Sequence, residues 1–104
     1  MMNENENIIR EFISAWSELN ADKLSEFFTE DGIYHNIPME PVQGREQVKQ
    51  FIAAFIQPWT STTWDLLSIA SEGDLVIAER LDRTQAGEKS VDLPCVGIFQ
   101  MEDG

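Results

Sequence analysis

Apolar residues recur at helical spacing over the first part of the chain. Ile8, Ile9, Phe12, Ile13, Trp16 and Leu19 fall on one stripe, with Glu4, Glu6, Glu11 and Glu18 elsewhere. That spacing predicts an amphipathic helix over residues 4–19. Asn20-Ala21-Asp22 breaks it, and Asn20 suits the cap of a second, short helix carrying Leu24, Phe27 and Phe28. Glu30-Asp31-Gly32 reads as a turn into a short strand, Ile33–Asn36, followed by a loop fixed by Pro38 and Pro41. Gly44 precedes a third helix over 45–57, whose buried stripe is Val48, Phe51, Ile52, Phe55 and Ile56.

After Pro58 the period changes from helical to alternating. Thr62–Ser71, Leu75–Gln85 and Ser90–Met101 read as three long strands joined by Glu72-Gly73-Asp74 and Gln85-Ala86-Gly87-Glu88. Tight connections between long strands point to an antiparallel meander. Helices followed by strands imply an α+β domain with the helices on one concave sheet face. In the middle strand Val76, Ala78, Arg80, Asp82 and Thr84 share one side, and Leu75, Ile77, Glu79, Leu81 and Arg83 the other. Neither side is cleanly apolar. The first, small and apolar residues leading to a charged pair, is the pattern of a buried side whose far end lines a cavity. In the next strand Val91, Leu93, Cys95 and Gly97 alternate with Asp92, Pro94, Val96 and Ile98.

A chain of 104 residues makes one domain, 1–104, with one modest core. Its net charge of −12 argues against nucleic acid and anionic membrane as partners. The single cysteine, Cys95, precludes an internal disulfide and a cysteine zinc cluster. The polar, acidic start is unlike a signal peptide, and no apolar run nears the roughly 20 residues of a membrane span. The expected location is the cytoplasm.

Four polar residues raise the question of chemistry. Tyr34 and Asn36 are spaced by two on one predicted strand, and Arg80 and Asp82 on another, so each pair shares a side. A buried guanidinium and carboxylate are costly unless they pair. A tyrosine hydroxyl and an asparagine amide together can hold a water by donating and accepting. A carboxyl next to a strained oxygen ring can serve as the acid, and a carboxylate next to water as the base.

Tyr34-x-Asn36, Gly44-Arg45 opening a helix, Glu79-Arg80-Leu81-Asp82, and Gly97-Ile98-Phe99 ahead of Asp103-Gly104 resemble the limonene-1,2-epoxide hydrolase family. That family lies in the SnoaL-like group of nuclear-transport-factor-2-like (cystatin-like cone) folds. The resemblance covers essentially the whole chain, and Tyr-x-Asn with Arg-x-Asp carries most of its specificity. It implies a cone in which a curved mixed or antiparallel sheet packs on three helices. It implies metal-free, cofactor-free, one-step opening of an epoxide by water, yielding a vicinal diol. Asp82 would then protonate the epoxide oxygen, Arg80 hold Asp82 in register, and Tyr34 and Asn36 orient the water. In the family a second aspartate, on a last strand that would follow Gly104, takes the proton from that water. Here Glu102-Asp103-Gly104 is a hairpin signal with no strand after it, so the expectation is a domain truncated at its C-terminus with an open sheet edge. A naturally short, non-catalytic relative is the competing reading. With Asp82 alone next to Arg80, the carboxyl is expected to be ionised and so a poor proton donor.

Phe55, Trp59, Trp64, Leu93 and Cys95 are candidate walls of the substrate pocket, with core packing the competing reading of each, and an apolar lining favours a small, uncharged organic substrate. Cys95 has no histidine placed to activate it and reads as a small buried side chain. His35 should point away from Tyr34 and Asn36, as a surface or helix-packed residue. Asp65 and Asp92 are candidate substitute bases, although Asp92 alternates out of the pocket row. The fold also hosts binding without turnover, so a small-ligand-binding or dimerisation module, or an isomerase or cyclase of the same superfamily, stands as the alternative. Homodimer formation, covering the sheet, is the family's habit.

Overall fold

In the computed structural model, residues 4–35 and 40–101 are described. Helix α1 (Glu4–Ala15) continues into a single 3-10 turn, Trp16–Glu18. It buries Ile9, Phe12, Ile13 and Trp16, one stripe at i, i+3, i+4 and i+7. Leu19 stops it in the left-handed region at φ 51° and donates its N–H to the Trp16 carbonyl. The regular helix therefore ends earlier than its apolar stripe, because the last turn tightens. Helix α2 (Ala21–Ser25) starts at the predicted cap: the Asn20 side chain accepts from the Lys23 backbone N–H at 3.2 Å. Phe27 and Phe28 lie just past this short helix, and their rings meet Phe12 edge-on at 5.3 and 5.9 Å.

Strand β1 (Ile33–Tyr34) pairs antiparallel with β2 (Val42–Gln43), which forms within the stretch expected to be loop. Two residues are too few to show an alternation. Asn36, the predicted end of β1, lies outside the described residues. Helix α3 (Arg45–Ile56) follows Gly44, whose φ of 97° only glycine adopts freely. The sharp bend there lets the N–H groups of Gly44 and Arg45 bond the carbonyls of Gly32 and Glu30.

The three long strands appear close to where alternation placed them: β3 (Ser61–Glu72), β4 (Leu75–Ala86) and β5 (Lys89–Gln100), an antiparallel meander. Each hairpin closes with two residues, led by Gly73 and Gly87 at φ 58° and 64°. A bulge at Leu67 bends β3 and helps curl the sheet. The architecture is thus α+β, three helices against the concave face of a curved antiparallel sheet. Register settles the question that periodicity left open. Val76 and Ala78 are fully buried and Asp82 is 8% exposed, so the Arg80 side faces the helices. The outer face leaves Leu67, Ile77, Val96 and Ile98 in solvent.

Trp16 is the hub of the core, fully buried, stacked on Trp64 at 4.1 Å and in contact with Phe12 and Trp59. Helix α3 sends Val48, Ile52 and Ile56 into this cluster and packs against α2 and β2. Between α3 and the sheet a space is left. Among the described residues, β5 pairs only with β4.

Candidate active site in the cone

Arg80 and Asp82 are two apart on β4, so they sit side by side on its inner face. The Arg80 Nε–H donates to Asp82 Oδ1 at 2.8 Å, with the side chains only 14% and 11% exposed. Pairing offsets part of the desolvation that either charge would suffer alone, and removing one partner strands the other. The guanidinium also lies over the Trp64 ring, its Cζ 4.3 Å from the ring centroid, a favourable cation–π contact. Trp64 comes from β3, opposite Asp82. On the other flank β5 places Cys95 opposite Arg80 and Leu93 opposite Asp82. Gly97 lets β5 pass close under the guanidinium: a Cβ there would lie 2.8 Å from Arg80 Nη1.

Burial raises the proton affinity of Asp82 above that of an ordinary aspartate, outweighing the pull of Arg80 in the other direction. The downward pull of Arg80 expected from the sequence is present, but burial is the larger cause. Two residues spaced by two in a sequence reveal the ion pair but not how little water reaches it. Burial also raises Tyr34, so its phenol stays protonated, able to donate and accept. The Cys95 thiol is raised as well, first by burial and then by the Asp82 charge, so it is no ready nucleophile.

A cavity of about 310 Å³ opens above this pair. Tyr34, Arg80 and Asp82 line it together. All five predicted wall residues do so too: Phe55 and Trp59 from the α3 end, with rings 4.9 Å apart, Trp64 from β3, and Leu93 and Cys95 from β5. Four further lining residues, Thr84, Ala86, Lys89 and Val91, escaped the sequence reading as site residues. Their signal was present, since Thr84 shares the Arg80 row and Val91 shares the Leu93 row. Ala86 and Lys89 complete those rows at the hairpin.

The substitute bases do not reach the cavity. Asp65 faces the outer side and is held by Arg83 at 3.0 Å. Asp92 is opposite Arg83 on that same side. Both are excluded by strand alternation. His35 is exposed. Asp82 is the one carboxylate among the described lining residues. Among the described residues no cluster of three His, Cys, Asp or Glu side chains suits a metal, and no helix is long and apolar enough to cross a membrane.

Comparison with known proteins agrees with this architecture. An LEH-like epoxide hydrolase from Mycobacterium tuberculosis superposes with a TM-score of 0.83 at 20% identity, over 96% of this chain and 74% of that one. SalBIII, an epoxide hydrolase/cyclase-like enzyme of pyran ring formation in the polyether salinomycin, gives 0.82 at 15% identity, over 95% and 81%. A protein from Shewanella putrefaciens described as a SnoaL-like polyketide cyclase gives 0.81 at 15% identity, over 98% and 82%. Identities this low speak for the fold. The family model of the SnoaL-like domain matches residues 9–104, nearly the whole chain, and the chain belongs to that family, within the nuclear-transport-factor-2-like superfamily.

Proposed function

We propose that this chain hydrolyses a small hydrophobic epoxide to a vicinal diol by one-step attack of water, without metal or cofactor. The observation that carries the reading is the buried Arg80–Asp82 pair at the bottom of an apolar cavity, with the Tyr34 phenol on the same lining. In the step, water forms a bond to one ring carbon while that carbon's bond to the epoxide oxygen breaks. The Asp82 carboxyl gives its proton to the departing oxygen. The proton lost by the bound water passes to solvent, and Asp82 is reprotonated from solvent. Arg80 fixes the carboxyl by its 2.8 Å hydrogen bond. Tyr34 orients the water, with Asn36 sharing that role by resemblance. The raised proton affinity of Asp82 favours an acid at this position. The portion of substrate held among Trp59, Trp64, Phe55 and Leu93 is apolar and uncharged, with Cys95 packed against it. We place the protein in the cytoplasm as a homodimer whose contact is the exposed apolar outer face of the sheet. The names of two structural neighbours, an LEH-like epoxide hydrolase and an epoxide hydrolase/cyclase-like enzyme, support the reaction class.

Binding without turnover is the second reading, favoured by Asp82 being the one carboxylate among the described lining residues. Incubation with limonene oxide in heavy-oxygen water separates the two. The expected product is a diol carrying one labelled oxygen, formed by the native chain and abolished in Asp82→Ala. Saturable binding with no labelled diol would establish the second reading. Equal diol from both proteins would remove Asp82 from the mechanism.

A further inference from the structure

The cavity is not symmetrical in charge. Its inner end holds Arg80 and Asp82, which neutralise each other. At its outer end, on the hairpin, stands Lys89. The chain has only seven lysines and arginines against nineteen acids. Lys23, Lys49, Arg80 and Arg83 are each tied to a carboxylate, and Arg45 donates to the Phe28 carbonyl. Lys89 has no such partner among the described residues. In so acidic a protein, an unpaired ammonium on a cavity rim is a local reversal of the field.

Between the two ends runs an apolar track. Cys95, Leu93, Val91 and Lys89 occupy successive inward positions on β5, opposite Arg80, Asp82, Thr84 and Ala86. Leu93 and Val91 are 54% and 57% exposed although both line the cavity. Small neighbours, Thr84 and Ala86, leave the space above them open. Leu93 to Lys89 is four residues, a span of about 14 Å along an extended strand, long enough to hold an extended eight-carbon chain, roughly 9 Å between its end carbons, together with a charged end group.

We infer that the ligand of this cavity is an elongated amphiphile, with its apolar body laid along Leu93 and Val91 and an anionic end, a carboxylate, held by Lys89. The inference rests on the reading of this cavity as the substrate site, and it makes Lys89 a specificity-determining residue. The reacting carbons then lie at the Asp82 end and the charge stays at the rim, where water still solvates it. An uncharged interior and a charged tail are compatible because they occupy opposite ends of the track. Lys89 supplies attraction and register, while the exposed leucine and valine supply the burial that drives binding.

The test uses unreactive ligands, so its outcome does not depend on turnover. Octanoate and octan-1-ol are titrated at neutral pH, with quenching of the cavity tryptophans Trp59 and Trp64 as the readout. The quantity of interest is the ratio of the two affinities. It is expected to fall about threefold in Lys89→Gln and about tenfold in Lys89→Glu, with octan-1-ol itself binding unchanged. Arg10→Gln, which removes a cation from α1 outside this cavity, should leave the ratio as it is. High salt should shrink the native preference toward that of Lys89→Gln. A ratio that is the same in the native chain and both Lys89 variants overturns the inference, as does the absence of saturable octanoate binding. Failure of limonene oxide hydrolysis, by contrast, would strike the proposed reaction and leave this ligand class standing.

Discussion

Gly97→Ala is the substitution whose sign most sharply tests the geometry of the site. Gly97 does not have positive φ, so an alanine meets no backbone strain there. On backbone entropy alone Gly97→Ala should stabilise the chain by about 0.4–1 kcal/mol. Packing says the reverse. The new Cβ would sit 2.8 Å from Arg80 Nη1 and 2.8 Å from the Phe99 ring, against 3.4–4 Å for an ordinary contact. Neither neighbour is free to swing away. Arg80 is held by Asp82 and by Trp64, and the Phe99 ring lies 6.0 Å from Phe12 in the core. Overpacking of this kind costs about 1–3 kcal/mol, so the net expectation is a loss of about 1–2 kcal/mol. In a domain of this size that lowers the melting temperature by roughly 5–10 °C. Urea unfolding followed by circular dichroism gives the free energy, and tryptophan emission reports whether Arg80 has left the Trp64 ring. Diol formation or ligand binding should fall with it. A double-mutant cycle with Arg80→Met should return a coupling of about 1 kcal/mol. A Gly97→Ala protein more stable than the native chain, with unchanged emission, would refute the close passage of β5 under the guanidinium.

Three other expectations follow from the same packing. Because burial raises Asp82 in the folded state, the native form holds that proton more tightly than the unfolded chain does. Its contribution is fully present below the ordinary carboxylate value of 3.8 and is lost as pH climbs through the raised folded value. Unfolding free energies across that interval should decline relative to Asp82→Asn, and parallel curves would contradict the burial. Trp16→Ala, at a fully buried position stacked on Trp64, should cost about 3–5 kcal/mol, much of the stability of such a domain, and broaden or abolish the cooperative thermal transition. Ile98→Lys alters a side chain that is 69% exposed on the outer face. It should leave monomer stability within about 0.5 kcal/mol yet shift sedimentation from dimer to monomer, and a native chain that sediments as a monomer at high concentration would remove the proposed contact.

Most of the fold is legible in the sequence because its long elements announce themselves. Alternation over a dozen residues, closed by glycines at the turns, places the three strands to within a residue or so. A helical stripe with an asparagine at its break places α1 and α2. The pattern fails where elements are too short to repeat, as in β2, and where tertiary packing tightens a helix end, as at Trp16–Glu18. It is also ambiguous on β4, since the buried row includes Arg80 and Asp82. Polar residues in a core row defeat hydropathy at the very place where chemistry is expected. Lys89 shows a different limit. A lysine two residues past a hairpin glycine is ordinary in sequence, and only the register of β4 with β5 puts it on the cavity rim. The upward push on the proton affinity of Asp82 is hidden in the sequence for a related reason. Neighbours along the chain are visible in the sequence, whereas exclusion of water is a property of the whole fold.

The two walls of the cavity belong to parts of the chain with unlike resistance to opening. Arg80, Asp82, Leu93 and Cys95 lie within one hairpin, laced by a continuous ladder of backbone hydrogen bonds. Phe55 is carried by α3, and Tyr34 by the two-residue strand β1. Helix α3 is fastened mainly to α2 and β2, and its backbone stands off the long sheet. Local opening free energies follow such differences in packing, so the ladder of the meander is expected to open more rarely than the short β1–β2 pair and the ends of α3. Backbone amides of α3 should accordingly exchange with solvent faster than those of β4, and a bound ligand that spans both walls should slow the helix far more than the strand.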